Sequence, residues 1–460
     1  MHRPVAFCST SGQPVLTLAT ALILLLSWHH PPRAFADVFR ILEQDHQAIQ
    51  VRVDLIEQAQ REIKIAYYAV DNGRVSASLL LLLQRAAARG VRVQLLVDGL
   101  QSQVPSDLER YLVNSGIAIR HYHPPKLTQL HRLNRRLHDK LLVIDGCAMI
   151  IGSRNLQDQH FGLAEHNYLD SDAYVRGNSA AQAAHYFDWL WGTAHVEAVS
   201  KDKSFEIDVL KWRPSRDDAW AEAWRDANSD QDYQRLLDDS LAHLVRCHSI
   251  SLGTGTDWSA GCPDDACIRL LHDSDPDKAD RRLPQAFRKL IDSSTHSLLI
   301  ETPYPVFTHV MLDAIVQASR RGVDVIVLTN SLGSTDRVAT YAAYQNIKRR
   351  LLQGGVRLYE YKGPRTLHSK SMVVDGSIAV IGSYNFDPRS ERSNLELSIA
   401  AHDPRAAMAL TTEILQHVRC ATSIESPNEL VTEVPPAESL RRRITMQWER
   451  LAVPVFRWLL

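Results

Sequence analysis

The chain has 460 residues, 45% hydrophobic and 23% charged, an ordinary globular composition at a length that holds two or three domains. Its 52 Lys and Arg against 53 Asp and Glu leave a net charge of -1, without the whole-chain field of a protein that tracks a polyanion. Any phosphate site has to be assembled locally.

At the N-terminus, Arg3, the apolar run Pro14 to Leu26 and Ala34-Phe35-Ala36 predict a signal peptide over residues 1–36, cleaved before Asp37. The expected destination is periplasmic or secreted, with a retained membrane anchor as the alternative. The mature chain would hold Cys147, Cys247, Cys262, Cys267 and Cys420, with no spacing that suggests zinc, so no metal is expected. In an oxidising compartment, Cys262 and Cys267 could form a local disulfide; two free thiols are the other reading.

Strand-like Ile63 to Val70 is followed by a helical run from Ser76 to Gly90, a strand at Val91 to Gly99, a further helix, and a strand at Gly116 to Pro124. A basic loop with Lys126, Arg132, Arg135 and Arg136 then leads to "LHDKLLVIDGCAMIIGSRN", Leu137 to Asn155. Residues 201–265 are polar and irregular and read as a connector with some helix. The order then repeats: a strand from His296, a helix at Val310 to Gly322, a strand at Val323 to Asn330, a helix, a strand from Gly355, and "LHSKSMVVDGSIAVIGSYN", Leu367 to Asn385. Strands alternating with helices predict an α/β fold of two tandem units, residues 37–200 and 266–460, each around a largely parallel sheet. The tail combines Arg441 to Arg443 with Trp448, Phe456 and Trp458, which fits either an interfacial segment under anionic lipid or a helix packed on its own domain.

Each repeated stretch is an apolar run, Asp-Gly, and a second apolar run, the signature of a β-hairpin. Asp145 and Asp375 therefore have a structural job at the turn. Residues two apart on a strand share a face, so His138 projects with Lys140 and His368 with Lys370, while Asn155 and Asn385 follow the return strands. Lys supplies charge for phosphate oxygens, Asn supplies an N–H, and His serves as nucleophile or proton carrier. Displacement at a phosphodiester needs an attacking group and an acid opposite it. Two copies facing each other would provide both in one site.

The pattern H-x-K-x4-D-x6-G-S-x-N, filled by His138, Lys140, Asp145, Gly152, Ser153 and Asn155 and again by His368, Lys370, Asp375, Gly382, Ser383 and Asn385, resembles the duplicated signature of the phospholipase D superfamily. Stretches such as "RNLQDQHFG", "HYFDWLWGTAHV" and "LTNSLGSTDRVATYAAY" are similar to its bacterial cardiolipin-synthase-like branch. The resemblance implies two phospholipase D-type α/β/α sandwich domains related by a pseudo-two-fold axis, with one active site at their interface and no need of an oligomer. It implies a phosphatidyltransferase or phosphodiesterase acting on glycerophospholipids at a membrane surface, through a phosphohistidine and without cofactor. It also adds Asp145 and Asp375 to the catalytic set. The second copy continues with Asp387, Arg389, Ser390, Asn394 and Glu396, which the first copy lacks, Asp172 standing nearest to the place of Glu396 and Asp170 behind it. On that basis Glu396 would hold His368 as acid and base, and Asp172 would hold His138 as nucleophile. The same signature serves nucleases and other phosphodiesterases, against which the net charge and the export signal weigh; no nucleic acid is expected as partner.

Overall fold

The computed structural model describes residues 37–126, 134–199, 219–273, 281–432 and 440–448. The predicted signal peptide, Arg132 of the basic loop, and Phe456 and Trp458 of the tail lie outside the described residues.

The first half builds a sheet from β1 (Val38–Leu42), β2 (Glu62–Tyr67), β3 (Arg92–Asp98), β4 (Ile117–Tyr122), β5 (Lys140–Ile144), β6 (Ala148–Gly152), β8 (Asp172–Arg176) and β9 (Val196–Ala198), in the order β1-β8-β6-β5-β2-β3-β4-β9. The second half repeats it with β10 (Cys267–His272), β11 (Ser297–Glu301), β12 (Asp324–Asn330), β13 (Arg357–Tyr361), β15 (Ser371–Val374), β16 (Ile378–Gly382), β17 (Leu397–His402) and β18 (Ala421–Ser423), in the order β10-β17-β16-β15-β11-β12-β13-β18. Two short strands, β7 (Tyr168–Leu169) and β14 (Thr366–Leu367), pair in parallel across the halves.

Both sheets are mixed rather than largely parallel. Only β2-β3-β4 and β11-β12-β13 run parallel; the remaining pairs within each sheet are antiparallel. The reason is local. A hairpin turns the chain back on itself, so inserting β5-β6 or β15-β16 at mid-sheet reverses the direction there.

The strands read as continuous apolar runs because both faces of each sheet are covered. On β5, Leu142 and Ile144 enter the outer core beneath the helices Asp45–Gln58 and Arg74–Ala88, while Leu141 and Val143 enter a shared core. On β15, Met372 and Val374 face the second outer core and Val373 the shared one. The shared core also holds Ala183, Phe187 and Leu190 of the helix Asn178–Trp191 and Ala407, Leu410 and Ile414 of the helix Pro404–Arg419. It draws on both halves and so locks them face to face.

The expected connector is not a loose tether where it is described. Ser229 caps a helix at Asp230–Arg246, whose Leu236, Leu237, Leu241 and Leu244 join the first outer core with Trp224, Tyr233 and Trp258. Trp258 Nε1 donates to Asp54 Oδ2 at 2.8 Å. Cys262 and Cys267 are free thiols, and Cys262 Sγ accepts from the Arg40 guanidinium at 3.3 Å. At the C-terminal side, a helix over 440–448 buries Met446 and leaves Leu440, Ile444 and Trp448 exposed, so its packed side and an apolar outer side coexist. No helix among the described residues is long and apolar enough to cross a membrane.

Leu237→Ala removes a fully buried side chain from that capped helix and is expected to cost about 2–5 kcal/mol. Urea unfolding followed by circular dichroism checks it, and a midpoint within error of the parent would mean that the helix does not brace the first domain.

Candidate active site

The two hairpins are fixed at their turns. Asp145, Gly146, Asp375 and Gly376 all have positive φ, 54°, 63°, 51° and 58°, the backbone of the tight turn that Asp-Gly favours. The Asp145 carboxylate accepts from the backbone N–H groups of Gln60, Arg61 and Glu62 at 2.7–2.9 Å, and Asp375 does the same for Thr295, His296 and Ser297. Both carboxylates thus pin the hairpin to the start of the neighbouring strand at the far end from the histidines. The structure does not bring them into the site, so a direct catalytic part for Asp145 and Asp375 is withdrawn. At the other end Gly382 packs against β17 so closely that a Cβ would lie 2.1 Å from Ser398 Oγ and 2.5 Å from its Cα, which excludes a side chain there.

The histidines meet across the interface because each motif pairs with backbone of the other half. His138 N donates to Leu395 O at 2.9 Å and His368 N to Leu169 O at 2.7 Å. The residues after those acceptors carry the carboxylates. His138 Nδ1 therefore lies 2.9 Å from Glu396 Oε2, and His368 Nδ1 lies 2.7 Å from Asp170 Oδ1. This corrects the expected pairing on two counts. Glu396 holds His138, not His368; and the first-copy carboxylate is Asp170, not Asp172. Strand β8 begins at Asp172, which turns its side chain into the first outer layer, where Oδ2 pairs with Arg52 at 2.8 Å and Arg154 at 3.3 Å.

Each carboxylate is itself held. Ser153 Oγ donates to Asp170 Oδ1 at 2.6 Å, and Ser383 Oγ donates to Glu396 Oε2. On the remaining oxygens, Ser390 Oγ donates to Glu396 Oε1 at 2.6 Å, and His160 Nδ1 lies 2.7 Å from Asp170 Oδ2. His160, Asp170 and His368 form the one cluster of potential metal ligands found among the described residues, but both imidazoles spend Nδ1 on the carboxylate, the arrangement of a proton network.

Lys140 and Lys370 flank the rings and each donates to the carbonyl of its own histidine, Lys140 at 2.7 Å. Burial pulls Lys140 down to about 7 and Lys370 down to about 8, against the pull of Glu396 and Asp170. Burial, with Lys140 and Lys370 at His138 and Lys370 at His368, holds both motif imidazoles well below their ordinary value. Burial would lift Asp170, but His368 and His160 hold its carboxyl well below the usual range, whereas burial prevails at Glu396 and raises it. The site gathers four cation-forming side chains and two carboxylates around a gap, and a bound anion would favour the charged forms of the four.

That gap is a polar cavity whose wall includes His138, His368, Asn155, Asn385, Tyr68 and Tyr168. Tyr68 meets His138 edge-on at 4.6 Å between ring centres, and Tyr168 stacks on His368 at 5.0 Å. The amide oxygens of Asn155 and Asn385 are buried without a partner. The sequence reading had missed His160, Tyr68 and Tyr168. A signal existed for His160 alone, since it stands 230 residues before Ser390, the offset of the two motifs.

The sequence profile of a family described as "Cardiolipin synthase, PLD-like domain" matches residues 53–191 and 287–418, one segment in each half. The chain is 28% identical over 438 residues to cardiolipin synthase C of Escherichia coli, covering 87% of this chain and 88% of that one. It is 25% identical over 379 residues to a cardiolipin synthase of Listeria welshimeri, covering 81% and 67%. Among solved structures it resembles the phosphatidylserine synthase of Haemophilus influenzae, with a TM-score of 0.65 at 14% identity over 92% of this chain and 95% of that one, a likeness of fold.

Asp172→Asn would leave Arg52 and Arg154, 1% and 0% exposed, without their shared charge, and is expected to destabilise the protein by about 3–5 kcal/mol. Asp170→Asn should instead lower turnover with a smaller loss of stability. Thermal melts and turnover measured on both variants check the contrast, which fails if Asp172→Asn melts like the parent.

Proposed function

Since the chain belongs to the cardiolipin synthase, phospholipase D-like domain family, we propose that it is a phosphatidyltransferase that moves a phosphatidyl group from a glycerophospholipid to an acceptor alcohol through a phosphohistidine, with hydrolysis as the reaction when water is the acceptor. The observation that carries the reading is the pair of crossed imidazole–carboxylate contacts around one polar cavity.

His138 gives Nδ1 to Glu396 and the Ser383 carbonyl, which leaves Nε2 for the phosphorus. The negative charge of the bound phosphodiester, with Asp170, favours the doubly protonated form of His368. In the first step Nε2 of neutral His138 attacks, the bond from phosphorus to the departing oxygen breaks, and His368 gives its Nε2 proton to that oxygen. In the second, the acceptor oxygen attacks phosphorus, its proton passes to His368, and the nitrogen–phosphorus bond breaks. Lys140 and Lys370 hold the non-bridging oxygens throughout. The assignment of His138 as nucleophile no longer rests on Glu396 holding His368. It rests on Asp170, whose charge and hydrogen bond favour a proton on His368 against burial and Lys370, whereas at His138 burial and the charges of Lys140, Lys370 and Arg389 all oppose one. We also propose export and action at a membrane surface, on residues 1–36 and on the apolar outer side of the helix over 440–448.

His138→Ala and His368→Ala are each expected to lower turnover of a defined phospholipid by at least about a thousandfold, and the double variant should be no worse, because the residues act as a unit. Mass spectrometry of the products, with and without added glycerol or phosphatidylglycerol, reads both the loss and the acceptor. Half-activity in each single variant would mean two independent sites.

The pH dependence follows from the lysines. In the free protein they are charged below about 7 for Lys140 and about 8 for Lys370 and lose charge as pH rises through those values. A bound phosphodiester favours their charged forms. The alkaline fall of kcat/KM is therefore expected between pH 7 and 8, and that of kcat at higher pH. Coincident limbs in the two profiles would contradict phosphate binding by this pair.

A further inference from the structure

At the offset that relates the two motifs, His160 falls where the second half has Ser390. The two do the same structural work, each donating to the outer oxygen of a carboxylate whose inner oxygen meets a catalytic histidine. They are not the same chemically. A hydroxyl satisfies an oxygen and has no second protonation state near neutral pH; an imidazole has one. Local backbone does not call for the ring. His160 sits in the short turn Asp158–Phe161, held by its N–H to Gln157 O and by its carbonyl accepting from Arg154 Nε, and neither bond uses the side chain.

The ring is nevertheless engaged on both nitrogens and faces the cavity. Nδ1 lies on Asp170; Nε2 accepts from Asn155 Nδ2 at 3.3 Å. Its centre is 5.0 Å from His368 and 4.7 Å from Tyr168, and the residue is 1% exposed. On the His138 side the corresponding place on Glu396 is taken by the Ser390 hydroxyl.

We propose that His160 is a positioning residue of the transfer reaction: through Asp170 it sets the pH range over which His368 holds its proton, and through Asn155 it fixes an amide that lines the phosphorus site. The proposal rests on the phosphatidyl-transfer reading above. The groups facing His160 are Asp170, His368, Lys370, Lys140 and Tyr168; those facing His368 are Asp170, Lys370, His160 and Tyr168. Burial keeps His160 below its ordinary value, so near neutral pH it is neutral, with its proton on Nδ1 toward Asp170. When a proton does occupy its second nitrogen, the added charge works against the proton on His368, and the two rings titrate as a pair. His160 exchanges no proton with substrate: in each step the proton moves between His368 Nε2 and the alcohol oxygen, and both Nδ1 protons stay on their rings, directed at Asp170.

The test compares His160→Gln, His160→Ser and His160→Ala in pH profiles of kcat and KM, with dioleoyl phosphatidylglycerol in mixed detergent micelles and bis(4-nitrophenyl) phosphate as substrates. His160→Gln keeps a donor toward Asp170 and removes the titration. It is expected to retain kcat within about threefold while the acid limb moves by about half a unit or more, because the second proton that the coupled pair takes up there is gone. His160→Ser, which installs the residue that the other half already carries, should shift the limb likewise. His160→Ala should lose about tenfold or more in kcat with KM little changed. Profiles of His160→Gln and His160→Ser that overlay the parent would overturn the proposal, leaving His160 a packing residue. If the parent cleaves the nitrophenyl diester but releases no alcohol from phospholipid, the lipid reading fails while the comparison still decides the part of His160.

Discussion

The structure depends on two exchanged contacts: each histidine is held by a carboxylate that belongs to the other half. His138 and Glu396 are 258 residues apart in sequence, His368 and Asp170 are 198 apart, and both pairs close within 2.9 Å. A side-chain contact of that kind needs backbone placed to within a fraction of an ångström. The placement comes from strand pairing, since Leu137 bridges Leu395 and Leu367 pairs with Leu169 in parallel register. One residue beyond each partner lies the carboxylate. The shared apolar core of alternate residues from both sheets then holds the two halves against each other.

The chemistry of the cavity is a consequence of that closure. Two sheets pressed together exclude water from four cationic or cation-forming side chains, His138, Lys140, His368 and Lys370, all less than a tenth exposed. Burial alone would favour their neutral forms. Asp170 and Glu396 offset part of the cost, and each has its remaining capacity taken by hydroxyl or imidazole donors, so neither can turn away from its histidine. What is left over is a polar space lined by both histidines and both motif asparagines, built locally in a chain of net charge -1.

Much of this was written in the sequence. The duplicated pattern disclosed two units, one shared site and the hairpins, because Asp-Gly turns and two-residue periodicity are local rules that no tertiary contact overrides here. Sheet direction was harder: alternating strands and helices suggest parallel pairing, and a hairpin in the middle of the sheet undoes that inference. The exchange of carboxylates was not legible, because it depends on which strands meet across an interface. Counting could not choose between Asp170 and Asp172. They follow Asn155 by 15 and 17 residues where Glu396 follows Asn385 by 11, and the longer loop hides the equivalence. The segment after residue 218 looked like a connector because its polar text conceals a helix with four buried leucines, Leu236, Leu237, Leu241 and Leu244, a pattern that packing on Leu79 to Leu83 makes sense of.

The exchanged carboxylates also bear on how such a chain can change over generations. A duplication ordinarily frees one copy to drift while its twin keeps the trade. Here neither copy has that liberty, since damage to Glu396 in the later copy falls on His138 in the earlier one, and damage to Asp170 in the earlier falls on His368 in the later. Each half is custodian of its sibling's reactive ring. Departures from symmetry can therefore settle in places that leave the loan intact, as at His160 and Ser390, where two different side chains discharge one obligation to a carboxylate. The two halves are bound into a single unit of inheritance by what each holds for the other.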